Sequence, residues 1–164
     1  MSVFDFIQAK LWTNVLEICK DHPDSINKKQ NGSTPLHFAF IYQAPKNVIL
    51  SLIMCQPEAA AVVDRDRCLP LHLSLVKPDF LITESLLYAF AAGAAVRDGD
   101  GNLPLHIALK FSASLEIIEK IVEYNKQGPS EKSKAGDYAI HIACRHSASL
   151  QIIQRLLDAF PLGI

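Results

Sequence analysis

Apolar residues along this chain fall into short blocks that come in pairs, with polar turns between them. A second apolar block completes each pair: Val48-Ile49-Leu50-Ser51-Leu52-Ile53-Met54, then Leu81 to Phe90, Leu115 to Tyr124 and Leu150 to Phe160. Apolar positions three and four apart over this length predict amphipathic helices rather than strands. In three of the four pairs the first block opens on a proline that follows a turn of Gly, Asp, Asn or Lys. Proline suits the first helical position, where its missing N–H has no intrahelical partner. Helices of this length are marginal alone in water, so the pairs must gain stability by stacking on their neighbours.

The first blocks repeat one phrase. It reads Ser33-Thr34-Pro35-Leu36-His37-Phe38-Ala39-Phe40, then Cys68-Leu69-Pro70-Leu71-His72-Leu73-Ser74-Leu75. It returns as Asn102-Leu103-Pro104-Leu105-His106-Ile107-Ala108-Leu109 and, worn, as Asp137-Tyr138-Ala139-Ile140-His141-Ile142-Ala143-Cys144. The four histidines are spaced by 35, 34 and 35 residues. A fixed period of about 20 to 50 residues marks a repeat architecture. The small residue two after each histidine (Ala39, Ser74, Ala108, Ala143) lets paired helices close, because overpacking there would cost ~1–3 kcal/mol. Leu36, Leu71, Leu105 and Ile140 are predicted to enter the core, as are the pairs Leu52/Ile53, Leu86/Leu87, Ile121/Val122 and Leu156/Leu157. Residues 3 to 20 predict an atypical first pair, with Val3, Phe4, Phe6, Ile7 and Leu11 on one face and a second helix from near Asn14.

Phrase and period resemble the ankyrin repeat, a unit of about 33 residues with Thr-Pro-Leu-His at the start of its first helix. The resemblance runs from about residue 28 to residue 160. It implies an all-α fold: an ankyrin-type helical solenoid of stacked helix pairs with short β-hairpin fingers. One domain, 1–164, would comprise a starting unit (1–30) and repeats at 31–65, 66–99, 100–134 and 135–164, the last shorter than the others and expected to be incomplete. Pro35, His37, Pro70, His72, Pro104, His106 and His141 would be structural joints, each imidazole tying down backbone of its own or an adjacent finger. The fingers would hold Ala59 to Arg67 and Gly93 to Gly101. Three departures stand out. Arg67 replaces the glycine found at Gly32, Gly101 and Gly136, so that turn should be strained or rearranged. Ala139 replaces proline, and Leu69 and Leu103 replace the threonine whose hydroxyl the family bonds to its histidine.

Composition narrows the function classes. With 164 residues, 49% hydrophobic and 20% charged, the chain reads as a globular domain. Sixteen basic and 17 acidic residues give a net charge of −1, so neither nucleic acid nor an anionic membrane is an expected partner. Met1-Ser2-Val3-Phe4-Asp5-Phe6 puts an acid where a secretory leader needs a basic run. Cys19, Cys55, Cys68 and Cys144 then read as reduced thiols of a cytoplasmic, or nuclear, protein. They form no Cys-x-x-Cys pair. The repeat histidines would sit ~10 Å apart along a helical stack, too far to share one metal. No Gly-x-Ser-x-Gly elbow occurs, and Gly99-Asp100-Gly101 lacks the glycines of a phosphate loop. No catalytic residue, cofactor or metal is therefore expected, and a small enzyme or metal protein is a remote alternative.

What remains is recognition of an unidentified partner protein. The resemblance implies a concave face presenting Phe38, Leu73, Ile107 and Ile142, one after each histidine, and Tyr42, Lys77, Phe111 and His146, five after. Finger tips would add Lys28, Lys29, Asp64, Arg65, Asp66, Arg97, Asp98 and Asp100. The same features suit the recognition arm or fragment of a larger kinase or ubiquitin-ligase adaptor. The last helix carries Leu150, Ile152, Ile153, Leu156, Leu157 and Phe160, with polar positions only at Gln151, Gln154, Arg155 and Asp158. A terminal unit needs a polar outer face to stay soluble. This one is expected to meet a partner, a second copy or further repeats.

Overall fold

The computed structural model describes residues 2–26 and 28–160; expectations for Met1, Asn27 and residues 161–164 lie outside it. The described residues form ten α-helices in five pairs. These are α1 (Val3–Gln8) with α2 (Trp12–Asp21), α3 (Pro35–Ile41) with α4 (Lys46–Cys55), and α5 (Pro70–Ser74) with α6 (Phe80–Ala89). They continue with α7 (Pro104–Lys110) and α8 (Leu115–Tyr124), then α9 (Ala139–Arg145) and α10 (Leu150–Ala159). None is long and apolar enough to cross a membrane. Odd-numbered helices each touch the next odd one, even-numbered helices the next even one, and the partners in a pair touch each other. The pairs are thus layered one on the next, with the core running between the two rows.

Local chemistry sets the helix ends. Prolines 35, 70 and 104 take the first position of α3, α5 and α7, and Ala139 does so in α9, fully buried. The first helices close by a wide bond past a left-handed residue. Leu11 N donates to Phe6 O at 2.8 Å, Ala44 N to Ala39 O at 2.8 Å, Ala113 N to Ala108 O at 2.9 Å and Ala148 N to Ala143 O at 2.9 Å. The left-handed residues are Lys10, Gln43, Ser112 and Ser147, with φ between +53° and +56°. The second phrase cannot close this way, because Pro78 brings no N–H. There α5 ends at Ser74, two residues early, and the link to α6 is one residue longer, so the second phrase reaches its second helix one residue sooner, which accounts for the spacing of 34. Helix α2 starts at Trp12 rather than Asn14, and Leu11, just past the left-handed turn, is 43% exposed instead of lining α1.

Ala39, Ser74, Ala108 and Ala143 are buried as the packing argument requires, Ser74 satisfying its hydroxyl on Leu71 O at 2.8 Å. Leu36, Leu71 and Leu105 are core; Ile140 is half-buried. Of the late pairs all are buried except Leu157, which is 50% exposed.

The connections differ from the expected hairpins. Among the described residues there is no strand, only an isolated bridge between Gln30 and Ser33. Helices α2, α4, α6 and α8 each lead into a 3-10 turn, at Pro23–Ile26, Pro57–Ala61, Ala91–Ala95 and Gly128–Ser130. Ala59, Ala60, Gly93 and Ala94, placed by sequence in projecting fingers, are buried beneath them. Only five-residue tips project. Asp64 N bonds to Cys68 O, Asp98 N to Asn102 O and Ser133 N to Asp137 O, all within 3.0 Å. A side chain braces each tip from inside: Asp64 Oδ1 accepts from Asp66 N and Cys68 N, Asp98 Oδ1 from Asn102 N, and Ser133 Oγ from Asp137 N. So short a loop closes on its side-chain caps and has no length left for a ladder.

The fourth residue of each tip is left-handed: Arg67 at +57°, Gly101 at +75° and Gly136 at +84°. Arg67 makes the same turn bond, to Asp64 O at 3.1 Å, so the turn is kept and the strain is local. A non-glycine residue there costs of order 1–3 kcal/mol, offset by ~0.4–1 kcal/mol for glycine's freer unfolded chain. Arg67→Gly should therefore raise stability by ~0.5–1 kcal/mol in urea denaturation; a lower midpoint would mean that the Arg67 side chain stabilises the tip. Gly99→Ala should do the reverse, since its Cβ would sit 2.4 Å from Asp66 O and break the Gly99 N to Asp66 O bond of 2.8 Å.

Candidate functional site

The phrase histidines occupy the third position of α3, α5 and α7, where each ring bonds in two directions. Backward, Nδ1 accepts the backbone N–H of Thr34 (3.2 Å), Leu69 (3.0 Å) or Leu103 (3.1 Å), and Thr34 Oγ1 also lies 2.8 Å from His37 Nδ1. An accepting Nδ1 leaves the proton on Nε2. Forward, that Nε2–H donates across the layer boundary, from His37 to Cys68 O (3.2 Å), His72 to Val96 O (3.1 Å) and His106 to Glu131 O (3.0 Å). Leucine in place of threonine costs two of the joints a hydroxyl but keeps the N–H bond. Burial, the largest cause, pulls all three imidazoles below the ordinary histidine range despite these carbonyls. They are neutral linkers. His141 is exposed and its backward bond from Tyr138 N is long, at 3.4 Å.

The finger tips are bonded to one another as well. Arg65 Nη2 donates to Asn31 Oδ1 (3.1 Å), and Lys134 Nζ lies 3.7 Å from Asp100. Arg97 donates to Gly101 O (2.7 Å) and Lys132 O (2.9 Å) and pairs with Glu131. Arg65 and Arg97, read from sequence as contact residues, thus hold neighbouring tips in register.

Between tips and first helices lies a groove of about 370 Å³. Its lining brings together seven of the sequence-predicted residues: Leu73, Asp98, Asp100, Ile107, Phe111, Ile142 and His146. Phe111 is 40% exposed, with Lys110 Nζ 5.7 Å from its ring centroid. Lys77 lies outside it, in a second hollow of about 520 Å³ that Leu73 also lines, its Nζ on Gln43 Oε1 at 2.9 Å. Phe38 and Tyr42 belong to an aromatic run with Phe4 instead: Phe4 meets Phe38 edge-on at 5.0 Å, and Phe38 stacks on Tyr42 at 6.1 Å.

Sequence reasoning missed Val76, Lys110 and Arg145, which line the groove four residues after their histidines. The signal was available, since positions one, four and five after a histidine share one helical face. It also missed Asp137, whose two oxygens take both Arg145 amino groups at 2.8 and 3.1 Å. That pairing holds the Asp137 carboxyl below the usual carboxylate range.

No nucleophile is poised here. Burial first, then Asp64, Asp98, Asp66 and Asp100, push the groove thiol of Cys68 up to about 11. Cys19, buried and beside Cys55, is pushed up to about 12, and Cys55 Sγ donates to Cys19 O at 3.1 Å. Thiols held protonated are poor nucleophiles. Among the described residues no three His, Cys, Asp or Glu side chains converge as a metal site. The arrangement offers an apolar floor with a charged, rigid wall. No protein-family model matches the chain, and the comparison with curated proteins found no match.

The three neutral imidazoles give stability a pH dependence. The unfolded chain takes up their protons near 6.5 while the folded chain resists, so stability is complete above that pH and falls as pH drops below it. Each adds a slope of ~1.4 kcal/mol per pH unit until its folded value is reached. Unfolding measured between pH 7 and 5 should show this loss, and His106→Gln should remove about one third of the slope. An unchanged slope would mean that His106 is not buried neutral.

Proposed function

We propose that this chain is a non-catalytic protein–protein interaction scaffold of the ankyrin-repeat type, binding a partner protein through the concave groove and finger tips. The carrying observation is that the groove joins an apolar floor at Leu73, Ile107 and Phe111 to a finger wall held rigid by Arg97. Supporting it are the three proline-led first helices, the helix pairs layered in order and the histidine joints across three of the four boundaries. In this reading the tips are minimal hairpin fingers, and the setting is a reducing compartment, cytoplasm or nucleus, in keeping with four free thiols. A groove already formed loses little freedom on binding, so a few aromatic or aliphatic anchors give affinity and the charged tips give selectivity. A second reading, the recognition arm of a larger protein, draws on the apolar surface at Leu157.

Capture from native lysate, with identification of bound proteins, tests the proposal. Phe111→Ala with Lys110→Glu should lower capture of a specific protein at least tenfold while circular dichroism stays that of the parent. Unchanged capture would remove the groove as the binding face. Arg97→Ala should instead loosen the tips, seen as faster amide exchange at Gly101 and Lys132.

A further inference from the structure

The α9–α10 end of the stack exposes positions that the earlier repeat layers bury, or at Phe40 half-bury. Leu157 is 50% exposed, whereas its counterparts Ile53, Leu87 and Val122 are at 5%, 0% and 2%. Cys144 is exposed where Leu75 and Leu109 are at 0% and 2%, and Ile153 is half-buried where Ile49, Thr83 and Ile118 are buried. His141 has an exposed ring, where His37, His72 and His106 are at 0%, 1% and 2%. Among the described residues its Nε2 meets no carbonyl, the bond each of the other three makes to the following layer. The three internal boundaries therefore specify what fits: an apolar helix pair, led in by an extended segment that brings a backbone carbonyl over His141.

Two copies of this chain do not meet that specification. Two such ends face to face would set His141 donor against His141 donor. At the opposite end of the stack α1 and α2 expose Leu11 but also Asp5, Gln8, Thr13 and Glu17, polar side chains that would lose water without a partner against Leu157 and Ile153. We propose that the α9–α10 end is a stacking surface for one further helix pair of the same pattern, carried by a partner protein, whose lead-in carbonyl accepts the His141 Nε2–H. This rests on the repeat-stack part of the reading above and not on the groove.

The probe is a unit of the chain's own pattern: the full protein with residues 126–160 duplicated after Phe160. Expected are alkylation of the first Cys144 by iodoacetamide slowed at least tenfold, and a His141 Nε2–H proton resonance newly protected from exchange with water. Both should vanish on Leu157→Arg in the extended protein, while lysate capture through the groove stays unchanged. Alkylation and exchange as in the parent, or an added unit that stays unfolded, would overturn the proposal. So would concentration-dependent dimerisation of the parent abolished by Leu157→Arg, which makes the occupant a second copy. Loss of groove capture alone would count against the groove reading and leave this one standing.

Discussion

Everything in this molecule depends on a buried imidazole that bonds across a boundary. An imidazole at 0–2% exposure is costly unless both ring nitrogens are paired, and here one partner is local and the other belongs to the next layer. Shifting one layer against its neighbour would strand two polar groups at once. The apolar side chains around these joints favour contact but tolerate sliding; the bonds set the register. The finger tips depend on the joint in turn. Val96 and Glu131, whose carbonyls it holds, lie just before two of the tips, beside Arg97 and Lys132.

The groove follows from that register. Its floor comes from residues at fixed offsets from the histidines and its wall from the tips that the same histidines anchor. Rigidity here is chiefly hydrogen-bonded: Gly99 N to Asp66 O, Arg65 to Asn31, and Arg97 to Gly101 O of its own tip and to Lys132 and Glu131 before the next. A surface fixed in this way selects partners by where its charges already stand.

Helix pairing, proline starts, small packing residues and the role of His37, His72 and His106 were legible in the sequence, because each is a periodic signal carried by residue type; His141 carries the same signal but is exposed, with no following layer to bond. The finger was misread at Ala59–Ala61 and Gly93–Ala95, since small residues after a helix suit a loop and a buried 3-10 turn equally well. Arg65 and Arg97 were legible as tip residues but not as internal ties, because Asn31 and Lys132, their partners, lie 34 and 35 residues away on the neighbouring layer. Phe38 was misplaced for a similar reason: Phe4, in the atypical first pair, claims its ring. Arg67 shows the converse, a position where the sequence breaks the rule and the backbone keeps it.

The forward direction of the joints makes the molecule polar along its length in a mechanical sense. Each imidazole fastens its own helix to the layer that follows, so the α5–α6 and α7–α8 layers are gripped from both sides, once by their own ring and once by that of the preceding layer, while the α3–α4 layer is gripped only through His37. The last layer is gripped once, by His106 at Glu131. Under tension applied to the two ends the α1–α2 pair, which none of the repeat imidazoles fastens, would part first, and the layers joined by His37, His72 and His106 would hold longer.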